Sequence, residues 1–522
     1  MQHIQGISRN QLQMSSLEDT ILLDNAVRFI DAFVGSIDLE RVGFTLRFLK
    51  SEGRPSFDTR VFLKIYLYGY SNGIRSSRRL EKECLRNMEM QWLLETISPN
   101  YHSIADFRKD NPKALKHLFK LFVSFLKDAD LISGKTIAID GTKSRAHNSK
   151  KANLNQKKID KHLDYIEAKT QEYLTALDQN DTQENSTSIT NIQQKIERLK
   201  QNKINYELLE EKLKASGEPQ ISTTDGDARA LLVQGQVVEV SYNLQAAVDD
   251  KHNLVVATHT INRNDKNALS AIAIEAKENL EVETFTVLVD KGYHNGRKIE
   301  TCKTSNITTI VAHPDQGKSN ENGTHPEYFV SKFVYNKEKN SYRCPQGQTL
   351  ITTGRWHKKT GRTDQSGYQF QKYRTPACKT CPVKDQCTSR KGGREIDRSQ
   401  YADAVEENLK RYQANPQLYR KRQEINEHIF GTIKRKWGYN YTNLIGLEKV
   451  NGEHSLIILV YNIKRSINIL GVPDLIEKLK TWNSPYKRKT LFLFKTTYLK
   501  QIITLFNFQA NPTTPKYSLA YN

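Results

Sequence analysis

The sequence has little of what secreted and membrane proteins are built from. Its 522 residues include only six cysteines, too few for a chain this long to rest on a disulfide framework. No apolar run approaches the ~18–20 residues that span a bilayer. The longest compact one, SLIILVY around Leu456, is the size of a core segment. The first residues, MQHIQGISRNQLQMSS, carry no apolar signal-peptide core, so a cytoplasmic location is expected. Acid is scarce relative to base: 58 Asp and Glu against 79 Lys and Arg, a formal net charge of +21. A cation excess on that scale points to a polyanionic partner, nucleic acid before anionic membrane.

Helical periodicity is present from the start. Residues 1–135 place apolar side chains at helical spacing in SFDTRVFLKIYLYGY, SSRRLEKECLRNMEMQWLL and IADFRKDNPKALKHLFKLFVSFLKDADLI. Asp110 or Asn111 can cap a helix that has Pro112 in its first turn. Short helices punctuated by Gly69 and Gly73, with Arg75, Arg78, Arg79, Lys82 and Arg86 clustered, suit a helical DNA-binding domain of helix-turn-helix type. A strand, TIAID, follows. Residues 153–215 then read as two long charged helices around a polar tip, a helical hairpin inserted into the fold. Strands resume in residues 216–314: a β-hairpin turning near Asp249–Asn253, a helix over NALSAIAIEAKENL, the strand FTVLVD, a turn and helix, and the strand TTIVAHP. That order predicts a mixed α/β sheet flanked by helices, formed by residues 136–152 and 216–314. Residues 315–400 read as an irregular insertion rich in Gly, Lys and Cys, residues 401–482 as helices, and residues 483–522 carry no clear pattern.

Two of the predicted strands end alike, TIAID-GTK at Asp140 and TVLVD-KGY at Asp290. A carboxylate at a strand's C-terminal edge is rigidly held and faces the crevice where α/β folds bind ligands. Either acid alone reads as a strand-end cap. Side by side, two carboxylates repel unless a cation lies between them, and a hard dication such as Mg²⁺ suits oxygen ligands and phosphate substrates. Lys143 and Arg145, just after Asp140, then fit as phosphate contacts. A third acid is expected on the helix YRKRQEINEHIFGTIKRK, where Arg420, Glu424, Glu427, Gly431 and Lys434 share one face. Cys344, Cys378, Cys381 and Cys387 follow the pattern C-x₃₃-C-x₂-C-x₅-C, which makes them a candidate tetrahedral Zn²⁺ site. Cys84 and Cys302 read as packing residues.

The blocks IAIDGTK, VDKGYH and NEHIFGTIKR resemble the three catalytic blocks of bacterial insertion-sequence transposases of the DDE class, in the branch whose type element is numbered eleven-eighty-two. LKIYLYGYSNGIRSSRRLEKE with IADFRKDN, TTDGDAR before YNLQAAVD, and CPQG with CKTCPVKDQC agree with the same branch, so the resemblance covers roughly residues 50–470. It implies an RNase H-like catalytic domain and an Asp–Asp–Glu triad, Asp140, Asp290 and Glu427, holding two Mg²⁺ for which Mn²⁺ can substitute. The related signature Tyr-x₂-Arg-x₃-Glu-x₆-Lys is met by Tyr419, Arg422, Glu427 and Lys434, except that four residues separate Arg422 from Glu427. Glu424 is the rival third acid; Asp225 and Asp227 read as structural. The implied activity is cleavage and strand transfer on double-stranded DNA at the element's ends, by a homodimer in a bacterial cytoplasm at the nucleoid, with no membrane role. Tyr419, Arg422 and Lys434 would hold the end, and Trp437 could stack on an unpaired base. The alternatives are a nuclease of the same fold that does not rejoin DNA, and a DNA-binding relic.

Overall fold

In the computed structural model, the residues described are 3, 6–12, 14–45, 56–148, 150–180, 186–234, 237–314, 324–360 and 367–485. Among the described residues, seven α-helices come first: α1 (Ala26–Ser36), α2 (Leu39–Val42), α3 (Thr59–Ser71), α4 (Ser77–Arg86), α5 (Met88–Leu93), α6 (Tyr101–Asp110) and α7 (Pro112–Asp128). Pro112 occupies the first turn of α7, as its sequence predicts. One face of α7 buries Leu115, Leu118, Phe119, Phe122 and Phe125. Rings of α1 join it there: Phe33 meets Phe122 edge-on at 5.1 Å.

The first sheet is built from β1 (Thr136–Arg145), β4 (Arg229–Gln234), β5 (Val237–Asp249), β6 (Val255–Ile261), β7 (Phe285–Val289) and β8 (Ile307–Val311). β5 pairs antiparallel with β1 on one side and with β4 and β6 on the other, while β7 and β8 continue from β1 in parallel. β7 reads VLV with no alternation because both its faces are covered. The short pair β2 (Asn153–Leu154) and β3 (Ile221–Ser222) joins the feet of two long helices, α8 (Gln156–Asn180) and α9 (Ser186–Ser216), which share a small apolar cluster of Leu154, Ile159 and Leu213. Much of the polar tip expected between these helices, residues 181–185, lies outside the described residues.

α10 (Leu269–Leu280) and α11 (Gly296–Thr304) flank the sheet. Where an irregular insertion was expected, the chain forms a second, five-stranded antiparallel sheet: β9 (Val334–Asn336), β10 (Ser341–Arg343), β11 (Thr349–Lys359), β12 (Tyr368–Arg374) and β13 (Ile396–Ser399), with α12 (Lys384–Cys387) before β13. Three of its strands have only three or four residues, and the longer β11 and β12 bury little, so their sequence carries almost no period-two signal. α13 (Ala402–Ala414), α14 (Pro416–Phe430), α15 (Leu447–Leu470) and α16 (Val472–Thr481) complete the fold. α15 is buried from Leu456 to Ile463 and packs against α3, α7 and β6, tying the N-terminal helices to the sheet. Among the described residues, no single helix is long and apolar enough to cross a membrane. Most of the predicted tail, residues 486–522, lies outside the described residues.

Candidate active site

β1 and β7 pair in parallel up to Ile139 opposite Val289. Asp140 and Asp290 come next, so the two carboxylates hang from neighbouring strands that lie ~4.8 Å apart. β1 does not end at Asp140, as its sequence suggested. It continues to Arg145, held by the ladder to β5, in which Asp140 faces Ala246 and Arg145 faces Ser241. Asp140 thus lies where the sheet loses β7 on one side and keeps β5 on the other, an edge open to ligands yet fixed in position.

The Asp140 carboxylate accepts the Gly141 N–H at 2.8 Å and faces Arg422 Nη1 at 3.5 Å. Burial raises its pKa above the usual aspartate range. The Gly141 N–H and Arg422 work against that rise, and the negative charges of Asp265 and Asp290 add to it. Asp290 accepts the Lys291 N–H at 2.7 Å and caps the turn after β7. Tyr419 is half-buried, and the charge of Asp290 reinforces the rise that burial imposes on its phenol.

Asp265 was missed in the sequence. It lies in the loop after β6 with no motif of its own. Its carboxylate accepts Asn243 Nδ2 at 2.7 Å and Gln245 Nε2 at 2.8 Å and pairs with Lys143 at 3.2 Å. Gln245 in turn accepts the hydroxyl of buried Tyr293. Gly141 makes room for this network: a Cβ there would stand 2.2 Å from Gln245 Nε2 and 2.7 Å from Asp265 Oδ1.

α14 packs across β1, β5 and β7. Ile425 and Ile429 anchor it, and Asn426, 2% exposed, is buried with neither amide atom bonded among the described residues. Arg422 reaches Asp140 from this helix, while Glu427 and Glu424 are both exposed beside the buried seam. α14 continues into a π-helical turn over Gly431–Lys436, a local irregularity that is frequent at functional sites. Among the described residues, no three His, Cys, Asp or Glu side chains stand ready as a metal-ligand group. The chemistry of Asp140 and Asp290 nevertheless fits a hard dication. They are oxygen donors at the ends of an adjacent parallel pairing, and burial, with a smaller contribution from the acids Asp265 and Asp290, raises the pKa of Asp140.

Several predicted phosphate contacts are engaged elsewhere. Lys143 turns onto Asp265, and Lys434 donates to the Lys143 carbonyl at 2.9 Å. Arg145 pairs with Glu239 at 2.8 Å and remains largely exposed. Arg75 is a correction. It is buried between the rings of Tyr439 and Tyr441, donates to the Tyr441 carbonyl at 2.8 Å and lies 3.8 Å from Glu453, so it is a fastener inside the fold. Arg78 and Arg79, by contrast, are exposed on α4, with Arg78 over the Tyr101 ring. Asp225 and Asp227 are structural: Tyr242 donates to Asp225 at 2.7 Å, and Asp227 takes the Leu447 N–H at the start of α15. Trp437 is half-buried, with its ring among Tyr439, Tyr461 and Lys464. Cys344, Cys378, Cys381 and Cys387 line one pocket beside the second sheet, from the turns and short helices between its strands.

Two family models match the chain. Residues 343–467 match the family described as Transposase DDE domain, and residues 15–110 match Transposase domain (DUF772). Glu427 and α14 lie inside the first range and Arg78 and Arg79 inside the second, while Asp140 and Asp290 lie in neither. No curated protein matches the chain.

Proposed function

We propose that this chain, which belongs to the insertion-sequence DDE transposases, binds the ends of its element as a dimer and cuts and rejoins DNA at the edge of the first sheet. The observation that carries this reading is that Asp140 and Asp290 each follow the last paired position, Ile139 opposite Val289, of two adjacent parallel strands, with the pKa of Asp140 raised by burial and by neighbouring acids. The strand order, β4, β6, β5 and β1 joined by antiparallel pairings and β7 and β8 added in parallel beyond β1, supports an RNase H-like catalytic domain. In this reading Asp140, Asp290 and Glu427 hold two Mg²⁺, or Mn²⁺ in their place. Metal held there would supply Lewis-acid activation of the attacking oxygen and stabilisation of the leaving one.

The residues of the chain fix the geometry of two in-line displacements at phosphorus. Water first opens a phosphodiester at the element's end, and the freed 3′-hydroxyl then attacks a second phosphodiester in the target. Rigid β1 and β7 position the two aspartates, and α14, which packs against both strands, carries Glu427 as the third acid of this reading. In this reading Arg422, which faces Asp140, and Tyr419, whose phenol feels the charge of Asp290, hold the cut strand. Arg78 and Arg79 supply phosphate contacts from α4. The test is incubation of the purified protein with end DNA, a target plasmid and Mg²⁺. Joined products that are lost with Asp140→Asn and Asp290→Asn are expected. Nicks without joining would make it a nuclease, and end binding without cleavage in Mg²⁺ or Mn²⁺ would make it a DNA-binding relic.

A further inference from the structure

The second sheet has almost nothing inside it. Its buried apolar cluster is Phe333, Tyr342, Leu350, Tyr373 and Ile396, with Cys344 and Cys387 packed against it. A sheet of short strands with so small a core needs another staple. Beside this cluster, one pocket is lined by Cys344, Cys378, Cys381 and Cys387 together with Arg394. All four cysteines are free thiols.

The backbone around them is shaped toward sulfur. Cys344 opens a tight turn: its N–H donates to the Gln348 carbonyl at 2.9 Å, and the Gly347 N–H returns to the Cys344 carbonyl at 2.8 Å. The Gln348 N–H then points at Cys344 Sγ at 3.3 Å, an arrangement that favours a thiolate. Gly393, at φ +93°, lets the loop before β13 close on Cys378, where a Cβ would lie 2.4 Å from Cys378 Cβ. Arg394 donates to the Cys387 carbonyl at 3.2 Å, and its Nε is buried without a partner among the described residues. Its guanidinium offsets part of the negative charge that four thiolates around one dication carry.

We propose that Cys344, Cys378, Cys381 and Cys387 bind one Zn²⁺ that staples the second sheet. No three of the thiols already stand at ligand geometry, so binding requires them to turn inward from the walls of their shared pocket. Soft thiolates select Zn²⁺ over Mg²⁺, so this site and the carboxylate site would take different metals. The proposal is independent of the catalytic reading.

The test begins with the metal content of the full chain, purified reduced and without chelator. One zinc per chain is expected in the wild type and in Cys84→Ser, whose thiol is buried in α4. At least a tenfold loss is expected in the double variant Cys378→Ser, Cys381→Ser. Should that variant fail to fold, the wild type alone decides. A mercurial titration read with a chromogenic zinc chelator should release zinc in step with modification of four thiols, and Co²⁺ exchange should give a thiolate-to-cobalt charge-transfer band. Zinc-free reduced protein that gives no cobalt band overturns the proposal. So does zinc retained by the double variant, or a Cys378–Cys381 disulfide in the protein as purified.

Discussion

Glu453 and Asp140 are both acids withdrawn from water, and their surroundings treat them oppositely. Glu453, on α15, is fully buried. Its carboxylate accepts the Asn443 N–H at 2.9 Å, Asn443 Nδ2 at 3.0 Å and the Leu444 N–H at 3.2 Å, and faces Arg108 at 3.7 Å and Arg75 at 3.8 Å. Burial alone would raise its pKa; the two guanidiniums and the Asn443 N–H overrule it and hold the pKa below the usual value. Asp140 has one N–H and one arginine against burial and, to a lesser extent, two neighbouring carboxylates, and its pKa is raised. The first acid is neutralised by the protein and fastens α3, the loop after it and α6 to α15. The second carries charge that the protein leaves for a ligand to balance, as functional sites tend to do.

Removing each charge should therefore have opposite consequences. Glu453→Gln strands two buried guanidiniums, and a loss of ~3–5 kcal/mol is expected in denaturant unfolding. A loss below about 1 kcal/mol would erase the contrast, since that is the range of an exposed pair. Asp140→Asn should leave stability unchanged or higher, yet lower Mg²⁺-dependent cleavage by more than the ~10–100-fold that follows loss of a group that merely orients a metal ligand.

The pH profiles should diverge as well. Glu453 has a lowered folded pKa, so its contribution to stability is present above the unfolded value and is lost as pH falls through the folded one. Asp140 has a raised folded pKa, so its contribution is full below the unfolded value and is lost as pH rises through the folded one. Cleavage needs Asp140 ionised and should fail on acidification before an ordinary aspartate, at 3.8, would protonate. Asp265→Asn removes a negative neighbour and should move that acid limb to lower pH. The smallest effect concerns DNA. Arg78→Ala and Arg79→Ala should each reduce the salt slope of binding by about 1, whereas Arg75→Ala should cost stability and leave the slope unchanged.

The same contrast marks what the sequence reveals. Asp140 and Asp290 are legible because an apolar strand followed by an acid and a turn is a local pattern. Arg75 misleads because it sits three residues from Arg78 in one basic run, and only the later Tyr439, Tyr441 and Glu453 turn it inward. Lys143 and Lys434 read as phosphate contacts for the same reason: their partners, Asp265 and the β1 backbone, are distant in sequence. Asp265 is recognisable only once β5 brings Asn243 and Gln245 beneath it. The second sheet is hidden by the shortness of its strands, three of which have three or four residues.

The measurement that tests the central claim most directly is cleavage of end DNA in Mg²⁺ by Glu427→Gln beside Glu424→Gln. Both acids are exposed on α14, three residues apart, so the pair controls for charge and helix position. The account predicts that Glu427→Gln loses cleavage by more than about a hundredfold while binding DNA normally, and that Glu424→Gln cuts like the wild type. Full cleavage by Glu427→Gln would contradict it.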